Sequence, residues 1–129
     1  MGELSCWGYN SCGQLGDGTW ENRSVAVPIP LMGTAIQVVV GECHTCVLLA
    51  DGTVQCWGDN DYGQLGDGSY TSAQRPVSVP LTGIVEIMAG GAYNCARNSA
   101  NQVWCWGDNS KGQLAVNGDL WRPVVLAWP

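Results

Sequence analysis

The chain has 129 residues, 46% of them hydrophobic and only 12% charged, a balance that suits a single globular domain and argues against a disordered segment. Eleven acidic against five basic residues set a net charge of −6 with no cluster of Lys or Arg, so the attraction that underlies nucleic-acid binding is missing. No run of 18 apolar residues and no export signal is present, and Cys6 stands where a myristoylation signal needs Ser or Thr, so neither a membrane span nor a lipid anchor is expected here.

Taken in chain order, the first recognisable segment is Cys6 to Gly18, CWGYNSCGQLGDG, and it returns as CWGDNDYGQLGDG at residues 56–68 with ten of thirteen positions identical. A third copy, CWGDNSKGQLAVN at residues 105–117, matches the second at eight positions, so the spacings are 50 and 49 residues. Within the second unit four short β-like stretches are predicted: Ile36–Val40, Thr45–Leu49, Thr53–Trp57 and Arg75–Val79, each bounded by turn residues. The chain therefore begins at the third strand of a unit. A partial first repeat covers residues 1–33, a second covers 34–83 and a third covers 84–129, where Arg122–Trp128 reads as the fourth strand. Four strands about every fifty residues is the blade of a β-propeller, in which sheets stack radially and bury their faces against each other. The expected fold is all-β, a single partial propeller domain of about two and a half four-stranded blades.

The segment from Gly41 to Gly66, with Gly41-x-x-His44-Thr45, Leu49-x-Asp51-Gly52-x-Val54 and Trp57-Gly58-x-Asn60-x-x-Gly63-Gln64-Leu65-Gly66, closely resembles the repeat of the regulator of chromosome condensation family. The resemblance extends over nearly the whole chain. The third unit departs from it, with Tyr93-Asn94 in place of His44-Thr45 and Ala115-Val116 in place of Gly-Asp. The resemblance implies variable loops on a rigid ring. It covers a nucleotide-exchange factor for a small nuclear GTPase, ubiquitin-ligase-associated modules and secreted bacterial inhibitor propellers.

Seven cysteines are many for a reducing compartment. Cys46 and Cys56 flank Ala50-Asp51-Gly52, a three-residue hairpin loop ending in a residue suited to a left-handed conformation. That register sets the two cysteines opposite each other at a non-hydrogen-bonded site, where Cα atoms approach to about 4.5 Å. Cys95 and Cys105 repeat the device around Ser99-Ala100-Asn101. Cys12 and Cys43 stand outside this scheme, either bridging one unit's loop to the next unit's first strand or remaining free. Cys6 has no residue ten positions earlier to pair with, so an incomplete ring is expected, with open blade edges that promote self-association.

No converging set of catalytic groups is apparent. His44 is expected to tie down backbone, and Cys43-His44-x-Cys46 lacks the second ligand pair of a zinc site. Asp17-Gly18, Asp67-Gly68 and Asp59-Asn60-Asp61 lack the rest of a calcium loop and read as turns. The Gly-Gln-Leu-Gly segments lack the lysine and helix of a phosphate loop. No cofactor is expected. The repeating Trp7, Trp57 and Trp106 are expected in the core with His44, and the non-repeating Trp20, Trp104, Trp121 and Trp128 are the candidate contact residues. The function expected is a non-catalytic module that binds a protein partner through propeller loops, extracellular or cell-surface in view of the cysteines. The alternatives are a carbohydrate-binding module and a guanine-nucleotide exchange factor.

Overall fold

The structure is a computed structural model that describes residues 2–114 and 120–126. Ten strands run in chain order: β1 Leu4–Gly8, β2 Arg23–Ile29, β3 Ala35–Val40, β4 His44–Leu49, β5 Val54–Gly58, β6 Ala73–Val79, β7 Ile84–Ala89, β8 Tyr93–Asn98, β9 Val103–Gly107 and β10 Leu120–Val125. All neighbouring strands pair antiparallel. They form one two-stranded sheet, β1-β2, and two four-stranded sheets, β3-β4-β5-β6 and β7-β8-β9-β10. This is a partial β-propeller of one half blade and two whole ones. Among the described residues no helix is long and apolar enough to cross a membrane.

The strands of the second blade lie within two residues of those predicted from the sequence. The last strand begins at Leu120 rather than Arg122, and Ala115-Val116 and Trp128 fall outside the described residues. The tight turn between β4 and β5 closes as Leu49 N–H to Thr53 O at 2.9 Å and Gly52 N–H to Leu49 O at 2.9 Å. Gly52 sits there at φ +84°, and Asn101 holds the equivalent place at φ +64°, the only non-glycine residue with positive φ among those described. This turn sets Cys46 directly opposite Cys56 and, one blade on, Cys95 opposite Cys105. Both pairs are bonded, with Cα atoms 4.1 Å apart. Cys12 and Cys43 form a third disulfide, from the first loop to the segment before β4.

Every residue of β4 and β5 is buried, because the second blade is sandwiched between its neighbours. Its two faces serve different clusters. Val47, Leu49 and Trp57 pack toward the half blade with Ile29, Leu4 and Cys6, whereas Cys46, Leu48, Val54 and Cys56 pack toward Ile87, Ala96 and Trp106 of the third blade.

What fastens one blade to the next is a repeated pair of hydrogen bonds on one backbone oxygen. The Gln14 carbonyl accepts from the Trp57 indole at 2.8 Å and from the Thr45 hydroxyl at 2.7 Å. One blade on, the Gln64 carbonyl accepts from the Trp106 indole at 3.0 Å and from the Asn94 amide at 2.6 Å. Each indole lies so close over the loop that a Cβ on Gly16 or Gly66 would fall 2.6 Å from its ring nitrogen, and both glycines have positive φ. Glycine at these positions is a packing requirement. Near the propeller axis a second tie joins the inner strands: the Gln37 side chain donates to Ile87 O at 2.8 Å and accepts from Ile87 N–H at 2.9 Å.

This arrangement corrects one expectation. Trp57 and Trp106 are fully buried, but Trp7, at the same repeat position, is 64% exposed. The cover of each tryptophan comes from the Gly-Gln-Leu-Gly loop of the preceding blade. Among the described residues no such loop lies in front of Trp7. Replacing Trp57 by alanine is accordingly expected to lower stability by about 3–5 kcal/mol, as large-to-small core changes do, while Trp7→Ala costs under about 1 kcal/mol. Urea denaturation of the two variants checks this, and similar losses at both positions would refute the account of burial. Non-reducing peptide mapping is expected to find the three disulfides and to leave Cys6 alone open to alkylation.

Candidate interaction surface

The loops between the third and fourth strands of successive blades form a rim, and each is built around one buried asparagine. Asn60 is fully buried, and its side-chain oxygen accepts from Leu65 N–H at 2.9 Å. Its amide donates to Ser69 O at 2.9 Å and Thr71 O at 3.1 Å. Asn10 repeats this with Leu15 N–H, Thr19 O and Glu21 O at 2.9, 3.0 and 2.9 Å. One amide thus satisfies three backbone groups of a loop that has no ladder of its own. The outer strand of the next blade then hooks on, through Gly18 N–H to Gln74 O at 2.8 Å and Gly68 N–H to Trp121 O at 3.0 Å.

Aromatic side chains project from this braced rim. Trp20, Tyr70, Trp121 and Tyr62 are each close to half exposed. Tyr70 and Trp121 meet edge to face, with centroids 4.9 Å apart and planes at 62°. Arg75 and Arg122 are exposed on the outer strands, lying against Gly18 and Gly68 of the preceding loops. The described residues place no carboxylate within salt-bridge distance of either, whereas Arg23 is committed to Asp17 at 2.8 Å and Arg97 to Glu86 at 2.8 Å. Burial acts to raise the Asp17 carboxyl, but hydrogen bonds from Thr19 and Arg23 outweigh it and bring the value to about 2. Asp17 is therefore a charged brace of its loop.

Of the candidate contact residues, Trp20 and Trp121 lie on this rim. Trp104 does not: it is in β9 at the position of Gln55 and packs half-buried against the core between the second and third blades. Trp128 lies outside the described residues. Tyr70, Arg75 and Arg122 were not singled out from the sequence. A signal existed for the first, since an aromatic residue recurs 50 positions after Trp20 in the same Asp-Gly-x-aromatic setting.

His44 is buried at the boundary of the second and third blades, its Nε2 2.8 Å from the Asn94 side-chain oxygen. Since the Asn94 amide donates to Gln64 O, its oxygen faces the imidazole, and Nε2 carries the proton. Nδ1 has no hydrogen-bond partner among the described residues. His44 thus reaches the inter-blade latch through Asn94. Among the described residues no group of three or more His, Cys, Asp or Glu is placed to hold a metal ion.

These features define a class: repeat propellers that carry divergent loops on a rigid, latched array of blades. The chain belongs to the family of the regulator of chromosome condensation (RCC1) repeat. One family model of that description matches residues 2–48 and 51–97, and a second matches 35–64 and 84–113. Among solved structures, human WBSCR16 is similar at 24% identity with a TM-score of 0.84, over 95% of this chain and 34% of that one. Yeast RCC1 (Prp20), solved bound to Kap60, is similar at 22% identity with a TM-score of 0.84, over 99% of this chain and 32% of that one. Prp20p from Saccharomyces cerevisiae, in a structure concerned with its binding to Gsp1p and histones, matches at 18% identity with a TM-score of 0.83, over 97% of this chain and 34% of that one. At these identities the likeness is one of fold, and the chain spans about a third of the length of each. No curated protein matches the sequence significantly.

The buried imidazole carries a pH dependence. Burial pushes His44 below its ordinary value, and the Asn94 hydrogen bond and the charge of Asp59 only partly oppose this. The unfolded chain takes up a proton that the folded protein resists. Stability is then complete above the unfolded value of about 6.5 and is lost as pH falls from there toward the depressed folded value. His44 is the single histidine. The urea midpoint is expected to drop between about pH 7 and pH 5.5, and in His44→Gln to be flatter over that range. An equal slope in the two proteins would remove His44 as the cause.

Proposed function

We propose that this chain is a non-catalytic protein-binding module that engages its partner through the aromatic rim. The observation that carries the reading is the half-exposed Tyr70–Trp121 pair and, one loop earlier, Trp20, with two exposed arginines for which the described residues place no carboxylate within salt-bridge distance, on loops whose backbones are fixed by buried asparagines. Trp, Tyr and Arg are the side chains most enriched at protein hot spots, and a pre-ordered loop loses little entropy on binding. A sugar platform needs open ring faces. Here Tyr70 and Trp121 stand edge to face, which favours a protein surface with a cavity for one ring and an acceptor for an arginine. Three disulfides are compatible with an oxidising environment, and the proposal places the module outside the cell.

The test is affinity capture from the extracellular fraction of the source culture, followed by identification and purification of the captured protein. Titrated against the folded chain, that protein is expected to bind at least tenfold more weakly to Tyr70→Ala/Trp121→Ala, as loss of about 1.4 kcal/mol or more at a hot spot requires. Thermal stability of the variant should stay within a few degrees. Undiminished affinity in the variant would remove the rim from the interface. Accelerated nucleotide release from a small GTPase, or glycan binding lost with Trp20 or Trp121, would replace the reading.

A further inference from the structure

The two interfaces between blades differ in one side chain, at the end of the strands opposite the rim. On β5, Val54 and Cys56 pack toward the third blade, so Gln55 between them faces the half blade, on the side of Trp57. Gln55 lies opposite Val47 in the ladder as Trp104 lies opposite Ala96 one blade on. A glutamine therefore holds the place that an indole holds at the next interface. There Trp104 packs against the cluster that contains Val79 and Leu81.

Gln55 lines a cleft of about 310 Å³, a volume at the lower end of the range of small-molecule sites. The side chain is 4% exposed, and its Oε1 accepts from Met32 N–H at 3.2 Å, while its Nε2 has no acceptor among the described residues. The one fully enclosed side-chain nitrogen or oxygen left without a partner among those residues is His44 Nδ1, so the Gln55 amide is not enclosed: it opens into the cleft it lines. The floor is apolar, made of the buried Leu49, Val54 and Val79. Met32, 80% exposed, forms an adaptable wall. Asp51 contributes a carboxylate, whose Oδ1 accepts from the Thr53 hydroxyl at 2.6 Å and from Thr53 N–H at 3.0 Å. These hydrogen bonds hold the carboxyl below its ordinary value, so it is charged at neutral pH. The described residues place no cation within salt-bridge distance of it.

We propose that this cleft is a binding site for a small aromatic amine that also carries a carbonyl oxygen, the chemistry of an aromatic amino-acid amide. The ring takes the room that the indole of Trp104 occupies one blade on. The carbonyl accepts from Gln55 Nε2, and the ammonium pairs with Asp51. An acceptor is required, because a bare ring over Gln55 would bury an amide N–H with nothing to receive it. The cation is favoured twice, by Asp51 and by the net charge of −6. The site is separate from the aromatic rim, which lies at the other ends of β5 and β6, and does not rest on the binding proposed there.

The experiment titrates L-tryptophan amide into the isotope-labelled full chain and follows the Gln55 side-chain amide by heteronuclear NMR. Saturable shifts at Gln55 and Met32 are expected, with a dissociation constant on the order of 1 mM. L-leucine amide, which lacks the ring, should bind about fivefold more weakly or worse. N-acetyl-L-tryptophan amide, which lacks the ammonium, should bind about threefold more weakly, the scale of one exposed ion pair. Asp51→Asn is expected to weaken L-tryptophan amide by the same factor and to leave the acetylated compound unchanged, a pattern that a general loss of structure does not produce. Gln55→Trp copies the next interface and should abolish binding, with the backbone spectrum showing whether the blade stays folded. No saturable shift at Gln55 up to about tenfold above the expected constant would overturn the proposal. So would equal affinity for L-leucine amide, an Asp51→Asn effect common to both tryptophan compounds, or binding retained in folded Gln55→Trp.

Discussion

Two backbone oxygens, those of Gln14 and Gln64, organise the relation between blades. A carbonyl has two lone pairs, and here both are used by the following blade: one by an indole N–H, the other by a short polar side chain on β4 or β8. The glycines around each glutamine let the indole approach the loop closely, so the hydrogen bonds are made at a buried contact. Burial of Trp57 and Trp106 follows from this contact. So does the exposure of Trp7, which shares the Cys-Trp-Gly triplet of the other two and has no such loop in front of it among the described residues. Burial in this architecture belongs to a pair of neighbouring blades, and no single repeat specifies it.

That distinction explains what could be read from the sequence. Strand positions in the second blade, the turn at Gly52 and the register that sets Cys46 against Cys56 all depend on residues within ten positions of one another, where turn chemistry and alternation decide. The side chains that join blades were harder to recognise. Gln37 is a polar residue in an apolar strand and nothing nearby in sequence marks its partner, the backbone of Ile87, 50 residues away. Asn60 looked like a turn residue in an acidic loop, although its recurrence as Asn10 and Asn109 in the other copies was the available sign of a buried role under three backbone groups. Trp104 was expected at the surface because it does not repeat as tryptophan. Its strand position, shared with Gln55, points it between the blades.

The candidate surface follows the same logic from the other side. The asparagine-centred loops are nearly superposable in their bonding, and the residues they present differ: Trp20 in one, Tyr62 and Tyr70 in the next. A conserved bonding pattern inside the loop leaves the outward positions free to vary without disturbing the blade. Recognition and folding draw on separate residues here. Substitutions on the rim can therefore alter contacts at little cost in stability, while changes at Asn10 or Asn60 would collapse the loop that carries them.

The latch also gives the array a direction. Each blade gives an acceptor from its loop on one side and receives with its indole and its Thr or Asn on the other, so the two faces of a blade are complementary and unlike. Two copies brought together by a two-fold axis through like faces would oppose donor to donor, or acceptor to acceptor. Only a head-to-tail step satisfies the contact, and repeating such a step is a rotation, which either closes as a ring or continues as a helix. The direction of assembly is thus set by the chemistry of a glutamine carbonyl.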